Sequence, residues 1–335
     1  MIHKNRTNSF QSKILTLQQL NRGHIMPALN NLFKFFKDWS MPIAILIGIA
    51  FPKALNHLNV LIPYMIFIML VLTFSNVKIS NLRIQKPHIW LLSFQLFGSI
   101  MVYLTLLLFG KLTAESAFIC VLGPTATSAA VIAGFLGGNV ASLTTYTLLS
   151  NVMVSIAGPL LFPIINPAQD MTFLHSFIQI FSKVAPMLLS PLIVSWLFDR
   201  YAPKANLFLK KLHNWPFYLW TLSLAIVTGS TVCFLKEQQN PDWVLNLTIA
   251  GFSLLICILQ FSFGRTIGKK FGLRITCGQA LGQKNTILAI WMAQTFLSPV
   301  ASLGPAAYVL WQNVFNSWQL YQNRKKPTLF NENKL

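Results

Sequence analysis

The stretch Gly278-Gln279-Ala280-Leu281-Gly282-Gln283-Lys284-Asn285-Thr286 interrupts a run that is otherwise apolar from Arg274 to about Leu297. Ten residues of α-helix rise about 15 Å, half the hydrocarbon thickness of a bilayer. With Arg274 at the membrane edge, Lys284 falls near mid-depth. An ammonium group there is costly unless it is paired, hydrated or deprotonated. Two glycines and a run of amides around it predict a helix that breaks inside the membrane.

The remainder of the chain reads as a frame around that break. Of its 335 residues 54% are hydrophobic and only 10% charged, and the mean hydropathy is +0.57. A soluble domain carries about 25% charge. Several apolar runs reach the roughly 18 residues needed to cross a bilayer as helix. The reading is an all-α integral membrane protein. A net charge of +19 would suggest nucleic acid in a soluble chain. Here no basic-aromatic patch accompanies it, and basic residues collect in cytoplasmic loops of membrane proteins, so no nucleic-acid partner is expected. Cys120, Cys233, Cys257 and Cys277 lie in or beside apolar runs without close pairs. They read as packing residues rather than a disulfide framework, and neither a metal site nor a cofactor is expected. No signal-peptide pattern is visible. Residues 28–39 are amphipathic, which predicts a segment lying along the inner membrane surface.

Ten spans are expected, at roughly 41–57, 59–76, 88–110, 115–136, 140–165, 174–198, 214–235, 243–265, 275–297 and 300–321. Pro186 and Pro191 interrupt the sixth. A Gly137-Gly138-Asn139 turn separates the fourth from the fifth. With both termini inside, 21 of the 26 Lys and Arg residues fall on the cytoplasmic side. Lys53, Lys111, Lys183 and Lys236 fall outside, and Lys284 in the membrane. That asymmetry supports an even span number with cytoplasmic termini. All seven acids, Glu115 among them, sit at span edges or beyond, so Lys284 has no evident counter-ion.

Ten divides into five plus five, and an odd number per half inverts one half relative to the other, as in many secondary transporters. The ninth span then matches the fourth. That span carries Gly123-Pro124-Thr125-Ala126-Thr127-Ser128 about ten residues in from Glu115. Interrupted helices at matching places in two halves point to a midplane site. Pro124 suits the first position of a new half-helix, with Thr125, Thr127 and Ser128 around its positive end. Asn285 and Thr286 suit the start of the other. Two helix N-termini aimed at one point favour an anionic group. Plainer roles exist for each part. A Gly-Pro step is often only a kink, and Gln279, Gln283, Asn285 and the threonines can serve as helix–helix glue. Lys284 is too deep to reach either surface easily. Trp311, Gln312 and Asn313 are further candidates for the same cavity, with plain packing an equal reading of Trp311.

At these residues the sequence resembles the bile acid:sodium symporter family, over roughly residues 39–321. The resemblance is most specific in Gly123 to Ser128, Gly138-Asn139-Val140-Ala141 and Pro159; in Gly282 to Thr286; and in Gly304-Pro305-Ala306-Ala307 leading to Trp311-Gln312-Asn313. It implies ten transmembrane helices in two inverted five-helix repeats with crossed, discontinuous helices 4 and 9. Residues 1–38 would form a cytoplasmic segment, 39–322 the transporter and 323–335 a cytoplasmic tail. Helices 3–5 and 8–10 would form a core domain, and helices 1, 2, 6 and 7 a panel. Family members move bile acids, other organic anions and small carboxylates, usually with sodium. Here the sequence departs from the family pattern. The ninth helix of members reads glutamate, any residue, glycine, any residue, glutamine, asparagine, then serine or threonine. Ala280 stands at the glutamate position and Lys284 at the glutamine position. Thr147 matches a family threonine ligand, and the expected serine-asparagine pair falls at Ala129-Ala130 or Thr127-Ser128.

Losing a carboxylate and gaining a cation disfavours sodium. The expectation is a non-enzymatic, sodium-independent carrier of a small organic anion in the cell inner membrane. In it the Lys284 ammonium stands where sodium would, and transport runs as proton-linked symport, uniport or exchange. The expected substrate or ion site comprises Lys284, Asn285, Thr286, Gln283, Gln279, Thr125, Thr127, Ser128, Thr147 and Asn313. Alternatives are a sodium-coupled anion symporter, a non-transporting receptor, and a protein that uses Lys284 as a Schiff-base amine.

Overall fold

The computed structural model describes residues 40–75, 82–167, 171–212, 215–237 and 242–325. The expected amphipathic segment at 28–39 and most of the tail lie outside these. Among the described residues the regular structure is helical, with no strands. Helices α1 (Ser40–Ala50), α2 (Pro52–His57) and α3 (Ile62–Phe74) come first. Next are α4 (Lys86–Leu106), α5 (Lys111–Leu122), α6 (Ser128–Phe135), α7 (Val140–Ile165), α8 (Phe173–Tyr201) and α9 (Pro203–Lys211). Then follow α10 (Trp215–Glu237), α11 (Trp243–Lys269), α12 (Arg274–Gly282), α13 (Thr286–Phe296) and α14 (Leu303–Lys325).

Six helical runs are long and apolar enough to cross a membrane: Pro52–Phe74, Lys86–Phe109, Val140–Ile165, Phe173–Tyr201, Trp215–Phe234 and Trp243–Lys269. The chain is thus built as a multi-pass membrane protein. Among the described residues the expected segments are largely helical, but their boundaries differ in places. The expected division between the first and second spans falls inside the run Pro52–Phe74, where a 3-10 turn at Leu58–Leu61 bridges α2 and α3. The backbone departs from helix earlier, at Phe51 (φ −123°, ψ 51°), because Pro52 disfavours α conformation in the residue before it. Pro186 and Pro191 lie within α8, which runs through both.

The expected turn between the fourth and fifth segments is present. Gly137 takes φ +82°, a conformation open to glycine at little cost. The Asn139 side chain then accepts from Ser142 N at 3.0 Å and caps α7.

Packing sorts the helices by neighbour. α10 packs on α1, α2 and α3, and α8 packs on α3 and α7. α11 lies against α5, α12 and α14, while α4 lies along α5. The α11–α12 contact is close because Gly264 has no side chain; a Cβ there would stand 2.9 Å from the carbonyl carbon of Cys277. Phe118, Ile119 and Leu122 of α5 share one buried cluster with Ile287 to Ile290 of α13. At the far end of α5, Glu115 is buried. Its Oε2 accepts from Ser298 N (3.1 Å) and Ser298 Oγ (2.5 Å), and Lys111 Nζ lies 3.6 Å from Oε1. The acid sits one turn into α5, near the segment edge expected from the sequence, but it is enclosed and paired.

Candidate functional site

Two helices stop where the sequence says they should, and their loose ends meet. α5 ends at Leu122, and Gly123 (φ −42°, ψ 135°) turns the chain into an extended linker. α12 ends at Gly282, followed by Gln283 at φ −100°, ψ 103°. The two linkers pair as a single antiparallel bridge between Thr125 and Lys284. Ala126 N donates to Gln283 O at 2.9 Å, and Asn285 N donates to Pro124 O at 2.8 Å. Pro124 therefore sits in the linker. It does not open a half-helix as expected, since α6 begins only at Ser128. A proline has no N–H to give, and here its carbonyl is the useful group. Asn285 does cap α13 as expected, its Oδ1 accepting from Leu288 N at 3.3 Å.

A broken helix leaves carbonyls without intrahelical partners, and inside a membrane each needs a donor. Every exposed carbonyl from Cys120 to Pro124 has one. Gln260 Nε2 donates to Cys120 O at 3.2 Å. Lys284 Nζ donates to Val121 O at 2.8 Å. Gln95 Nε2 serves both Leu122 O (2.7 Å) and Gly123 O (2.9 Å). On the other break, Thr125 Oγ1 donates to Ala280 O at 2.6 Å and Tyr308 OH to Gly282 O at 2.8 Å. Lys284 is 2% exposed. Its ammonium lies at the C-terminal, negative end of α5, the favourable pole for a cation. No carboxylate pairs with it; the ion pairs among the described residues are Lys111–Glu115 and Lys210–Asp199.

The expected site residues divide. Lys284, Gln283, Asn285, Thr286, Thr125, Thr127 and Ser128 are brought together at the two linkers. Gln283 Nε2 donates to Ser128 Oγ at 2.9 Å and ties one break to the other. Ser128 is exposed, and Thr127 and Asn285 are half-buried. Thr127, Ser128 and Asn285, at the starts of α6 and α13, are thus more accessible than the enclosed Lys284. Three residues fall elsewhere. Gln279 turns toward Asn316 and Gln319 of α14. Thr147 Oγ1 and Asn313 Nδ2 bond the carbonyls of Leu143 and Val309, a turn back on their own helices. Trp311 packs, its Nε1 donating to Ala250 O at 3.1 Å.

Around the linkers lie partners that the sequence does not mark as site residues, Gln95, Tyr146, Ser150, Gln260 and Tyr308, together with Gln312, which it does. Gln95 Oε1 accepts from Tyr146 OH (2.8 Å) and Ser150 Oγ (2.9 Å), and Ser150 Oγ accepts from Thr125 N at 3.2 Å. Gln312 Oε1 accepts from Lys284 N at 2.9 Å, and Gln260 Nε2 also reaches Tyr308 OH at 3.0 Å. A signal for the two glutamines existed. Gln95 lies nine residues after Lys86, and Gln260 fourteen after Asn246 and five before Arg265, each an amide within an apolar run. Apart from this site, a cavity of about 260 Å³ separates α1 and α10 from α11, α13 and α14. Its lining is apolar except for Thr228, Thr231 and Asn246, and no charged side chain reaches it.

No protein-family model matches the chain, and no match was found among curated proteins.

Proposed function

We propose that the chain is a secondary transporter of a small organic anion, built on the plan of the bile acid:sodium symporters, with Lys284 standing in for the coupling cation. One observation carries this reading: a lysine ammonium, enclosed between two broken helices, donates to the freed carbonyl of Val121 at 2.8 Å. A sodium ion bound among helix-end carbonyls would do the same electrostatic work. The group formed by Thr127, Ser128 and Asn285 at two helix N-termini suits a carboxylate.

The inverted-repeat reading draws support from the matching of parts. Tyr146 and Ser150 are one turn apart on α7, as are Tyr308 and Gln312 on α14. Ser150 accepts from the backbone of Thr125, and Gln312 from that of its bridge partner Lys284. Gln95 meets Tyr146, and Gln260 meets Tyr308. The grouping of α10 with α1–α3, and of α11 with α5, α12 and α14, fits a panel and a core.

The test is uptake of labelled small carboxylates by the purified protein in liposomes, in sodium and in potassium buffers. Equal rates are expected in both, with Lys284→Gln losing at least about 90% of uptake. Uptake by the native chain that requires sodium would defeat the reading. Imposing a pH gradient then separates proton-linked symport, which responds, from exchange or uniport, which do not.

A further inference from the structure

Gln279 leads to a second polar cluster, inside the group formed by α11, α12 and α14 and away from the bridge. Its Nε2 donates to Asn316 Oδ1 at 3.1 Å and lies 3.4 Å from Gln319 Oε1. Arg265, on α11, donates from a guanidinium nitrogen to the same Gln319 oxygen at 2.5 Å, and its Cζ lies 5.4 Å from the Phe315 ring centroid. The stem of Arg265 passes over Gly278, where a Cβ would come within 2.6 Å of its Cγ. Gln279, Asn316 and Gln319 are 1%, 4% and 1% exposed.

The cluster is unbalanced in two respects. Its charge is positive, because no carboxylate among the described residues pairs with Arg265, and Arg274 lies near enough to add a second positive charge. Its donors are also in excess. Asn316 Nδ2 and Gln319 Nε2 are buried without a protein partner, as is the acceptor Gln279 Oε1. A buried amide N–H left unpaired is costly, and an unpaired guanidinium more so. Two amide donors beside a planar five-donor cation are the components that hold a small anion in other settings.

We propose that Arg265, Asn316 and Gln319 form a binding site for one small monovalent anion, separate from the site at the two breaks. Gln279 orients the amides by donating to both acceptor oxygens, which leaves their nitrogens for the ligand. The proposal does not depend on the chain being a transporter.

The experiment is thermal unfolding of the full-length protein in detergent at constant sodium, with chloride or acetate replacing a bulky sulfonate. A ligand that binds only the folded state raises Tm with a saturable dependence, here expected to reach about 3 °C or more. Arg265→Gln should abolish the saturable rise, and Asn316→Ala should shift its midpoint about tenfold upward. Lys269→Gln, which removes an exposed charge nearby, should leave the response intact. Gln319→Glu supplies Arg265 with a built-in carboxylate. It should raise Tm without added anion and remove the response, so a poorly folding Arg265 variant does not decide the matter. A rise that never saturates, or one equally large in Arg265→Gln and Gln319→Glu, would reflect general ionic strength and overturn the site. So would a native protein indifferent to the anion.

Discussion

Lys284 and Gln95 do the same work with different chemistry. One side chain supplies a charged donor to Val121 O, and the other spreads an amide over Leu122 O and Gly123 O. Between them they satisfy the carbonyls of Val121, Leu122 and Gly123 at the negative end of α5. Replacing Gln95 by leucine would strand two carbonyls and two hydroxyls, those of Tyr146 and Ser150. At about 1–3 kcal/mol for each buried group left unpaired, with partial relaxation, a loss of about 2–4 kcal/mol is expected. A fall in the thermal midpoint of the purified protein measures it, and a neutral outcome would mean that water replaces the amide. Lys284 was legible in the sequence because a charge in an apolar run is conspicuous. Gln95 was not singled out, because an uncharged amide has many satisfactory places in a helix bundle. Only the hydrogen bonds themselves separate the amide that closes a break, Gln95, from the one that faces another helix, Gln279.

The broken helices were legible as breaks but not as linkers that pair with each other. Glycine and proline at residues 123–124, and glycine with amides at 282–285, mark where an α-helix stops. Nothing local says that Thr125 will pair with Lys284, since that register depends on how α5 and α12 approach in space. The misplaced start of α6 has the same cause. Pro124 fits a helix N-terminus, yet tertiary pairing keeps it extended so that its carbonyl meets Asn285 N. The approach itself is set by α11, whose Gly264 lets α12 lie close. Gly264→Ala would place a methyl group 2.9 Å from the Cys277 carbonyl carbon. Overpacking of this kind costs about 1–3 kcal/mol. Lower yield and a lower unfolding temperature are expected, since the displaced backbone belongs to the helix that leads into the Lys284 linker.

Charge and hydropathy were enough to read a multi-pass helical membrane protein, and six long apolar runs agree. The orientation inferred from the basic residues is directly testable. All four native cysteines are buried, so background labelling should be low. Lys53 and Lys269 are exposed. In intact cells a membrane-impermeant maleimide should label Lys53→Cys, and label Lys269→Cys only after permeabilisation. The reverse pattern would invert the topology. On the proposed reading, the enclosure of Lys284 also bears on energetics. A metal ion that rides with its substrate brings its own charge across, whereas an amine tethered to the backbone stays behind. If transport is uniport, each monoanion then crosses alone, and the membrane voltage acts on it in full, at about 2.3 kcal/mol per 100 mV. With a negative interior, that voltage would drive the anion outward and sustain roughly a fifty-fold gradient. Salt outside the cell would have no part in the driving force.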